Sequence, residues 1–358
     1  MYDASFLAFP GRSPTYQLGN LCDRAGKRVM PFYGDPECII PYNKMPKYDP
    51  MFKETFAQVT EARCHGLFKN NKDKKWAILW SGGIDSTVIV SSIIKNLDAK
   101  DRENILILLN NASVYENPNF FYKFIKPNFK IKNSNNQNVI ELIDNGYVII
   151  NGHPADQMMS SRINRLFWRS DFLEKDYEKE PDELIKTIAQ EANNRKFAEW
   201  LYESTAENLK TTDLPIKNYY QWGWWQSFNW HYTGCILQEY FGEYSRYMSF
   251  KSFLSNIIPW YHTTEYQQWA MNNIGAIPTV DGVKLVNKQY IYDLDKNEYY
   301  FNFKIKTSSS SRKTSYHNIN QNKLNPVPAC ILDDLSTLDL KNNLKEYLEL
   351  LPAFVRKI

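Results

Sequence analysis

The run Ser-Gly-Gly-Ile-Asp-Ser that begins at Ser81 is the part of the chain whose residue types best suit chemistry. Gly82 and Gly83 allow a backbone to approach a pyrophosphate closely, and Ser81 and Ser86 add hydroxyl donors. Asp85 is a hard oxygen ligand of the kind that binds Mg²⁺. An aspartate so near phosphate groups would repel them unless a cation lay between. The run therefore predicts a site for a pyrophosphate together with Mg²⁺.

The flanking residues indicate which elements hold this loop. Trp76 to Trp80 form a short apolar run, as expected for a buried parallel strand that ends at the glycines. The apolar residues from Thr87 to Ile94 continue as a largely buried helix. Because the N–H groups at the start of a helix bind anions, this strand, loop and helix would direct donors at a phosphate group.

The same alternation continues along the chain. Residues 105–109 and 147–150 predict two further buried strands, with a helix around 119–125 between them. Strands that alternate with helices imply an α/β fold with a parallel, doubly wound sheet and right-handed crossovers. Ligands of such sheets bind beyond the carboxyl ends of the strands. Both loops with candidate site residues follow such strand ends.

The first loop resembles the S-G-G-x-D-S signature of the PP-loop ATP pyrophosphatases, a family that includes asparagine synthetase, GMP synthetase and tRNA-thiolating enzymes. The chain has neither the G-x-x-x-x-G-K-[ST] pattern nor the G-x-G-x-x-G spacing of other nucleotide sites. The resemblance implies that ATP and Mg²⁺ bind here and that ATP is cleaved to AMP and pyrophosphate. By analogy, the backbones of Trp80 and Gly152 would contact the adenosine.

A second loop, from Asn151 to Gln157, resembles the S-G-x-G-A-D-E loop of asparagine synthetases and β-lactam synthetases. Gly152, Ala155 and Asp156 match, whereas Asn, Pro and Gln replace Ser, Gly and Glu at the other three fixed positions. The resemblance implies that Asp156 shares the magnesium ion with Asp85, with ATP between the two loops. The alternative is a surface turn capped by the aspartate.

Two further residues are candidates for catalysis through this resemblance. At the variable position the branch places a residue that helps the attacking nitrogen lose its proton, and this chain has His153 there. An unperturbed pKa of about 6.5 suits a general base, although a loop histidine is equally compatible with an ordinary surface residue. Lys306 falls where the branch has R-x-K, whose lysine stabilises developing negative charge, with Lys304 and Lys288 as substitutes.

The chain divides into three predicted regions. Residues 1–50 are an N-terminal extension, 51–170 the PP-loop ATP-binding core, and 171–358 a mainly helical, substrate-side region. A helical pattern opens the core directly after Asp49-Pro50, and another runs over 334–351. A dense aromatic segment between Tyr219 and Tyr232 favours packing between elements over a stacking platform for a substrate.

Composition and charge limit the classes of partner that can be expected. The 43 basic and 40 acidic residues nearly balance, so a nucleic-acid-coating surface is not expected, although a small basic patch stays open. Five scattered cysteines without a C-x-x-C pair argue against a structural zinc site or a disulfide framework. Without a signal-peptide pattern or a membrane-spanning apolar run, the chain is expected to be soluble and cytoplasmic.

The resemblance of the two loops implies an ATP-dependent, amide-forming synthetase of the asparagine-synthetase type. A small-molecule carboxylate would be adenylated and then attacked by ammonia or an amine. Tyr2 stands where glutamine-dependent relatives have a cysteine nucleophile, so ammonia would come from solution or from a separate source. Two alternatives stay open: a PP-loop enzyme that modifies a tRNA or a nucleobase, and a nucleotide-binding protein without catalysis.

Overall fold

The structure is a computed structural model, and it describes only part of the chain. The described residues are 29–32, 35–41, 45–71, 73–134, 138–159, 173–192, 195–210, 212–231, 239, 244–274 and 284–303. Lys304, Lys306 and the helix predicted over 334–351 lie outside them.

Two units are distinguished within the described residues. The first, called here the sheet unit, comprises the described residues within Thr60–Gly152, Leu254–Trp260 and Leu285–Ile358. The second unit comprises the described residues within Met1–Val59, His153–Phe253 and Tyr261–Lys284. Each unit is built from separate stretches of the sequence, and each is described by itself below.

The sheet unit contains a five-stranded sheet in which every pair of neighbouring strands is parallel. The strands are β3 (Lys75–Leu79), β4 (Ile105–Leu109), β5 (Lys130–Asn133), β6 (Tyr147–Asn151) and β7 (Ile257–Pro259). All five residues of β4 are buried, as are the three apolar residues in the middle of β6. Strands covered on both faces need such continuous apolar runs, and the α/β class predicted from them is confirmed.

Two strands of this sheet were not predicted. β5 reads Lys-Ile-Lys-Asn and contains a single apolar residue, so it lacks the run that marks a buried strand. β7 has three residues and ends at Pro259. Both strands lie at the edges of the sheet, in the order β5-β4-β3-β6-β7. Edge strands are short and tolerate polar residues and proline, which explains why the pattern missed them.

The order in which strands are added to the sheet changes direction between β3 and β6. From β3 the chain builds outward through β4 to β5, then crosses back to place β6 on the other side of β3. Ile78 of β3 pairs with Ile150 of β6, so the carboxyl ends of these strands lie side by side. Ligands of open α/β sheets bind at such a switch point. The first loop, and Gly152 at the end of β6, therefore lie where this architecture favours a ligand.

The described residues also form α-helices in both units. The α-helices are α1 (Phe56–Asn70), α2 (Ile84–Asn96), α3 (Ala99–Arg102), α4 (Asn111–Glu116), α5 (Pro118–Phe120), α6 (Val139–Asp144), α7 (Ala155–Met159), α8 (Pro181–Ala192), α9 (Arg195–Leu209), α10 (Tyr219–Gln226), α11 (Phe250–Asn256), α12 (Thr264–Asn272), α13 (Leu285–Asp295) and α14 (Glu298–Phe303). Two π-helical turns follow α5 and α10, over Phe121–Ile125 and Ser227–His231. In the sheet unit, α13 packs against α2.

Helix α1 begins later than predicted. The apolar pattern suggested a start directly after Pro50, whereas the first helical residue is Phe56. The reason is a capping arrangement: the amide of Gln58 donates to the Thr55 hydroxyl oxygen at 3.2 Å, and the amide of Thr55 donates to Gln58 Oε1 at 2.8 Å. This reciprocal pair satisfies donors at the helix start and defines where the helix begins.

The second unit contains a hairpin and several helices. Strands β1 (Val29–Phe32) and β2 (Asp35–Pro41) pair antiparallel, and α8 packs against α9. The described side chains of the aromatic segment are buried, and the rings of Trp224 and Phe228 stack 4.6 Å apart. This burial agrees with the packing interpretation. Among the described residues, no helix combines the length and apolar character needed to cross a membrane.

Candidate functional site

The loop after β3 can be formed only by glycine at position 82. Gly82 has a φ of +74°, in the left-handed region that other residues rarely adopt. A Cβ atom placed there would lie 2.1 Å from the carbonyl oxygen of Ser113 and 2.8 Å from Cβ of Glu116. Both the backbone conformation and the space around it therefore exclude a side chain. The loop runs directly against α4, which follows the neighbouring strand β4.

Gly83 is the N-cap residue of α2 and leaves that helix end open. Its backbone is extended, with φ −71° and ψ 162°, and no described side chain caps the helix. A Cβ at Gly83 would lie 3.0 Å from Oγ of Ser81 and 3.5 Å from Oε1 of Glu116. The first backbone N–H groups of a helix need partners from outside the helix, and the helix dipole favours an anion there. A helix start of this kind is suited to bind an anion.

The two serines of the loop bind each other. The Ser81 amide donates to Oγ of Ser86 at 3.1 Å, and the two hydroxyl oxygens also lie 3.1 Å apart. Ser86 Oγ donates to the carbonyl of Gly83 at 3.2 Å, while the Gly83 amide donates to Ser81 Oγ at 3.2 Å. Ser86 is buried and Ser81 is exposed. These hydrogen bonds stabilise the loop from within.

Trp80 anchors the loop to the core. Its side chain is buried, and Nε1 donates to Oγ1 of Thr87 at 3.1 Å. Its ring centroid lies 6.4 Å from those of Phe120 and Phe121. The Trp80 amide donates to the carbonyl of Leu108 at 2.9 Å, which extends the β3–β4 pairing by one residue. Since the indole is enclosed, a ligand could approach only the backbone of this residue.

Gly152 brings the end of β6 against the start of α2. A Cβ atom at Gly152 would lie 3.1 Å from Cβ of Asp85 and 3.6 Å from the amide nitrogen of Ser86. Asp85 lies in the first turn of α2 and is partly buried. The fold thus brings Gly152 beside Asp85, two residues that the sequence had assigned to one site.

Two residues of this site were missed by the sequence analysis. Tyr300 of α14 is buried, and its hydroxyl donates to the carbonyl oxygen of Gly82 at 2.9 Å. Burial raises the pKa of this hydroxyl well above its usual value. Glu116 is also buried, with its side chain beside both loop glycines. No motif marks either residue, because each reaches the loop through tertiary structure and not through sequence spacing.

The remaining predicted residues of the second loop belong to the second unit. His153 is exposed, and its carbonyl accepts a hydrogen bond from the amide of Tyr261 at 3.3 Å. Oδ1 of Asp156 lies 2.6 Å from the ammonium nitrogen of Lys284. Lys284 has a left-handed backbone, with a φ of +60°. This ion pair was not predicted, since no motif includes Lys284.

Of the three lysines proposed to stabilise negative charge, one lies among the described residues. Lys306 and Lys304 lie outside the described residues, and Lys288 lies in the first half of α13 in the sheet unit. Within the part of the chain that is described, no group of three or more His, Cys, Asp or Glu side chains comes together as a metal site.

Comparisons with known proteins add no relative: no family model, no curated protein and no solved structure matches the chain.

Proposed function

We propose that the chain binds ATP at the loop from Ser81 to Ser86 and cleaves it between the α- and β-phosphates. The single observation that carries this proposal is the open amino end of α2. No described side chain caps this helix start, and the loop lies at the switch point between β3 and β6. A helix start with close backbone access and no capping side chain is suited to a pyrophosphate group.

The residues of the loop also fit a bound cation. Asp85 lies in the first turn of α2, and the buried Glu116 carboxyl group lies beside the same two glycines. Negative phosphates would be repelled by these carboxylates without a counter-charge. Asp85 is the residue we expect to hold Mg²⁺, which when bound neutralises phosphate charge and favours pyrophosphate as a leaving group. The sharing of that ion by Asp156 stays a prediction.

The second loop supports amide formation as the reaction that uses the ATP. An oxygen of a substrate carboxylate would attack the α-phosphorus, forming an acyl-adenylate and releasing pyrophosphate. A nitrogen nucleophile would then attack the acyl carbon, and AMP would leave with the carboxylate oxygen. The nucleophile must lose a proton in this step, and the exposed His153 is the proposed acceptor. Lys306 remains the residue proposed to stabilise the negative charge that develops in this reaction.

One observation favours a second candidate function. Asp156, the proposed second magnesium ligand, already has a cationic partner in Lys284 at 2.6 Å. An aspartate held in this ion pair would be a poorer metal ligand. The alternative is therefore a nucleotide-binding protein that no longer catalyses.

Pyrophosphate release from Mg-ATP, with AMP and ADP separated by chromatography, tests the proposal. The protein is incubated with ammonia and a panel of amino acids and other carboxylates. Asp85→Asn is the test variant, and Asp144→Asn, an exposed aspartate at the end of α6 in the same unit, is the matched control. We expect AMP and pyrophosphate, reduced about 100-fold or more in Asp85→Asn and unchanged in the control.

The other outcomes are equally informative. ADP and phosphate as products would overturn the proposal, because cleavage would then occur at the β–γ bond. ATP binding without turnover across the panel would favour the non-catalytic candidate. Turnover that appears only after tRNA is added would instead support the tRNA-modifying alternative.

A further inference from the structure

Tyr300 contacts the candidate site at one defined atom. It lies in α14, is 4% exposed, and its hydroxyl donates to the carbonyl oxygen of Gly82 at 2.9 Å. Burial is the main reason that its pKa is raised, and the nearby carboxylates of Glu116 and Asp85 raise it further. Hydrogen bonding from Thr87 and Asn117 opposes these effects. The hydroxyl group therefore stays protonated at neutral pH and serves as a donor.

The peptide group that Tyr300 binds is the one between the two loop glycines. A peptide bond is planar, so the carbonyl of Gly82 and the N–H of Gly83 belong to one rigid plate and point in opposite directions. Tyr300 holds the carbonyl end of this plate, and Ser81 Oγ accepts from the N–H end at 3.2 Å. A rotation of the plate would break both hydrogen bonds together.

The peptide plane between Gly82 and Gly83 has few other restraints. Glycine has no side chain to limit rotation about φ and ψ, and two glycines in succession leave the plate between them especially free. Gly82 is nevertheless held at a φ of +74°, against the carbonyl of Ser113. A flexible sequence thus adopts one conformation because groups from α4 and α14 close around it.

We propose that Tyr300 is a positioning residue that fixes the Gly82–Gly83 peptide plane and so keeps the amino end of α2 open to the phosphates of a nucleotide. This inference rests on the proposed function for its ligand, but the effect on the loop itself does not. Tyr300 touches the loop backbone and is not assigned any contact with the reacting atoms.

The test compares Tyr300→Phe with Tyr290→Phe. Tyr290 is also a buried tyrosine of the sheet unit, on α13, and burial raises the pKa of its hydroxyl to about 12. Both variants lose one buried hydroxyl group, so a general loss of stability affects both. Hydrogen exchange of the backbone amides at positions 81–86 is measured in the ligand-free protein, and the dissociation constant of Mg-ATP is measured by calorimetry.

We expect Tyr300→Phe to speed loop exchange and to weaken Mg-ATP binding, each about tenfold, as the loss of one hydrogen bond at a buried carbonyl would do. Tyr290→Phe should leave both values near those of the wild type. Unchanged loop exchange in Tyr300→Phe would overturn the role of Tyr300, whether or not ATP binds. Faster exchange with unchanged ATP affinity would overturn its link to the nucleotide.

The failure of the proposed function is distinguishable from these results. If the wild-type protein binds no Mg-ATP but Tyr300→Phe still speeds loop exchange, the proposed function is wrong. The role of Tyr300 in positioning the loop then still holds. If Tyr300→Phe does not fold, Ser81→Ala removes the acceptor at the other end of the same peptide plate. It should then speed exchange of the Gly83 amide, and a slow, unchanged exchange would overturn the proposal.

Discussion

Lys284 and Asp156 form an ion pair in which the ammonium nitrogen lies 2.6 Å from Oδ1 of the carboxylate. The lysine side chain is 8% exposed, whereas the aspartate side chain is 44% exposed. Lys284 adopts a left-handed backbone with a φ of +60°, which is unfavourable for a residue with a Cβ atom. Backbone strain that the surrounding structure maintains is often found at functional sites. Asp156 therefore has a charged partner that its sequence motif does not include.

The strain and the charge of Lys284 can be separated by two substitutions. Lys284→Ala removes the charge and the buried side chain but keeps the strained backbone, whereas Lys284→Gly removes the strain as well. We expect the glycine variant to be more stable than the alanine variant by about 1 kcal/mol in its free energy of unfolding, measured with urea. An alanine variant at least as stable as the glycine variant would show that the backbone at this position carries no strain.

Asp156 should matter for nucleotide cleavage if it leaves Lys284 to bind the metal ion. Asp156→Asn is then expected to lower pyrophosphate release about tenfold or more, with partial recovery as the Mg²⁺ concentration rises. Asp213→Asn, an exposed aspartate of the same unit, is the matched control. Full activity in Asp156→Asn would show that this carboxylate takes no part in nucleotide cleavage.

Gly82 should be far less replaceable than another glycine of the sheet unit with the same backbone conformation. Gly146 has a φ of +83°, but a Cβ atom there would meet nothing within 4 Å. Gly146→Ala should therefore cost about 1 kcal/mol in stability, from backbone strain alone. Gly82→Ala adds the overlap with Ser113 and should cost about 3 kcal/mol or more, with loss of ATP binding. Urea unfolding of both variants gives the comparison, and equal costs would contradict it.

The buried thiol of Cys64 predicts a loss of stability in alkali. Burial raises its pKa from 9.0 to about 12. Above pH 9 the unfolded chain therefore loses this proton while the folded chain retains it, so the free energy of unfolding falls as the pH rises towards 12. Below pH 9 the thiol is neutral in both states and has no effect.

Cys64→Ala isolates this contribution from those of buried tyrosines, which ionise in the same range. Unfolding by urea at pH 8, 9.5 and 10.5 should give a steeper fall for the wild type than for the variant. The slope is the quantity to compare, because the smaller side chain also lowers stability at every pH. Parallel slopes would show that the thiol ionises in the folded protein as it does in the unfolded chain.

Several elements could be predicted from local sequence. The strands β3, β4 and β6 are continuous apolar runs, and each was predicted within one or two residues of its bounds. A residue buried on both faces of a sheet must be apolar whatever its distant neighbours are, so the sequence alone carries that information. The two successive glycines after β3 could also be interpreted from local sequence, because they meet a requirement of the backbone at their own positions.

Only the tertiary structure decided which residues complete the site. Tyr300 is 218 positions away from Gly82, and no periodicity relates the two. Lys284 is one lysine in a lysine-rich chain until the fold places its ammonium beside Asp156. Periodic patterns report whether a residue faces core or solvent, but they do not report which distant residue it meets. The sequence by itself determined a parallel α/β sheet and a glycine loop after β3, whereas chain folding decided the partners, because a hydrogen bond or ion pair depends on atoms within about 4 Å of each other in space.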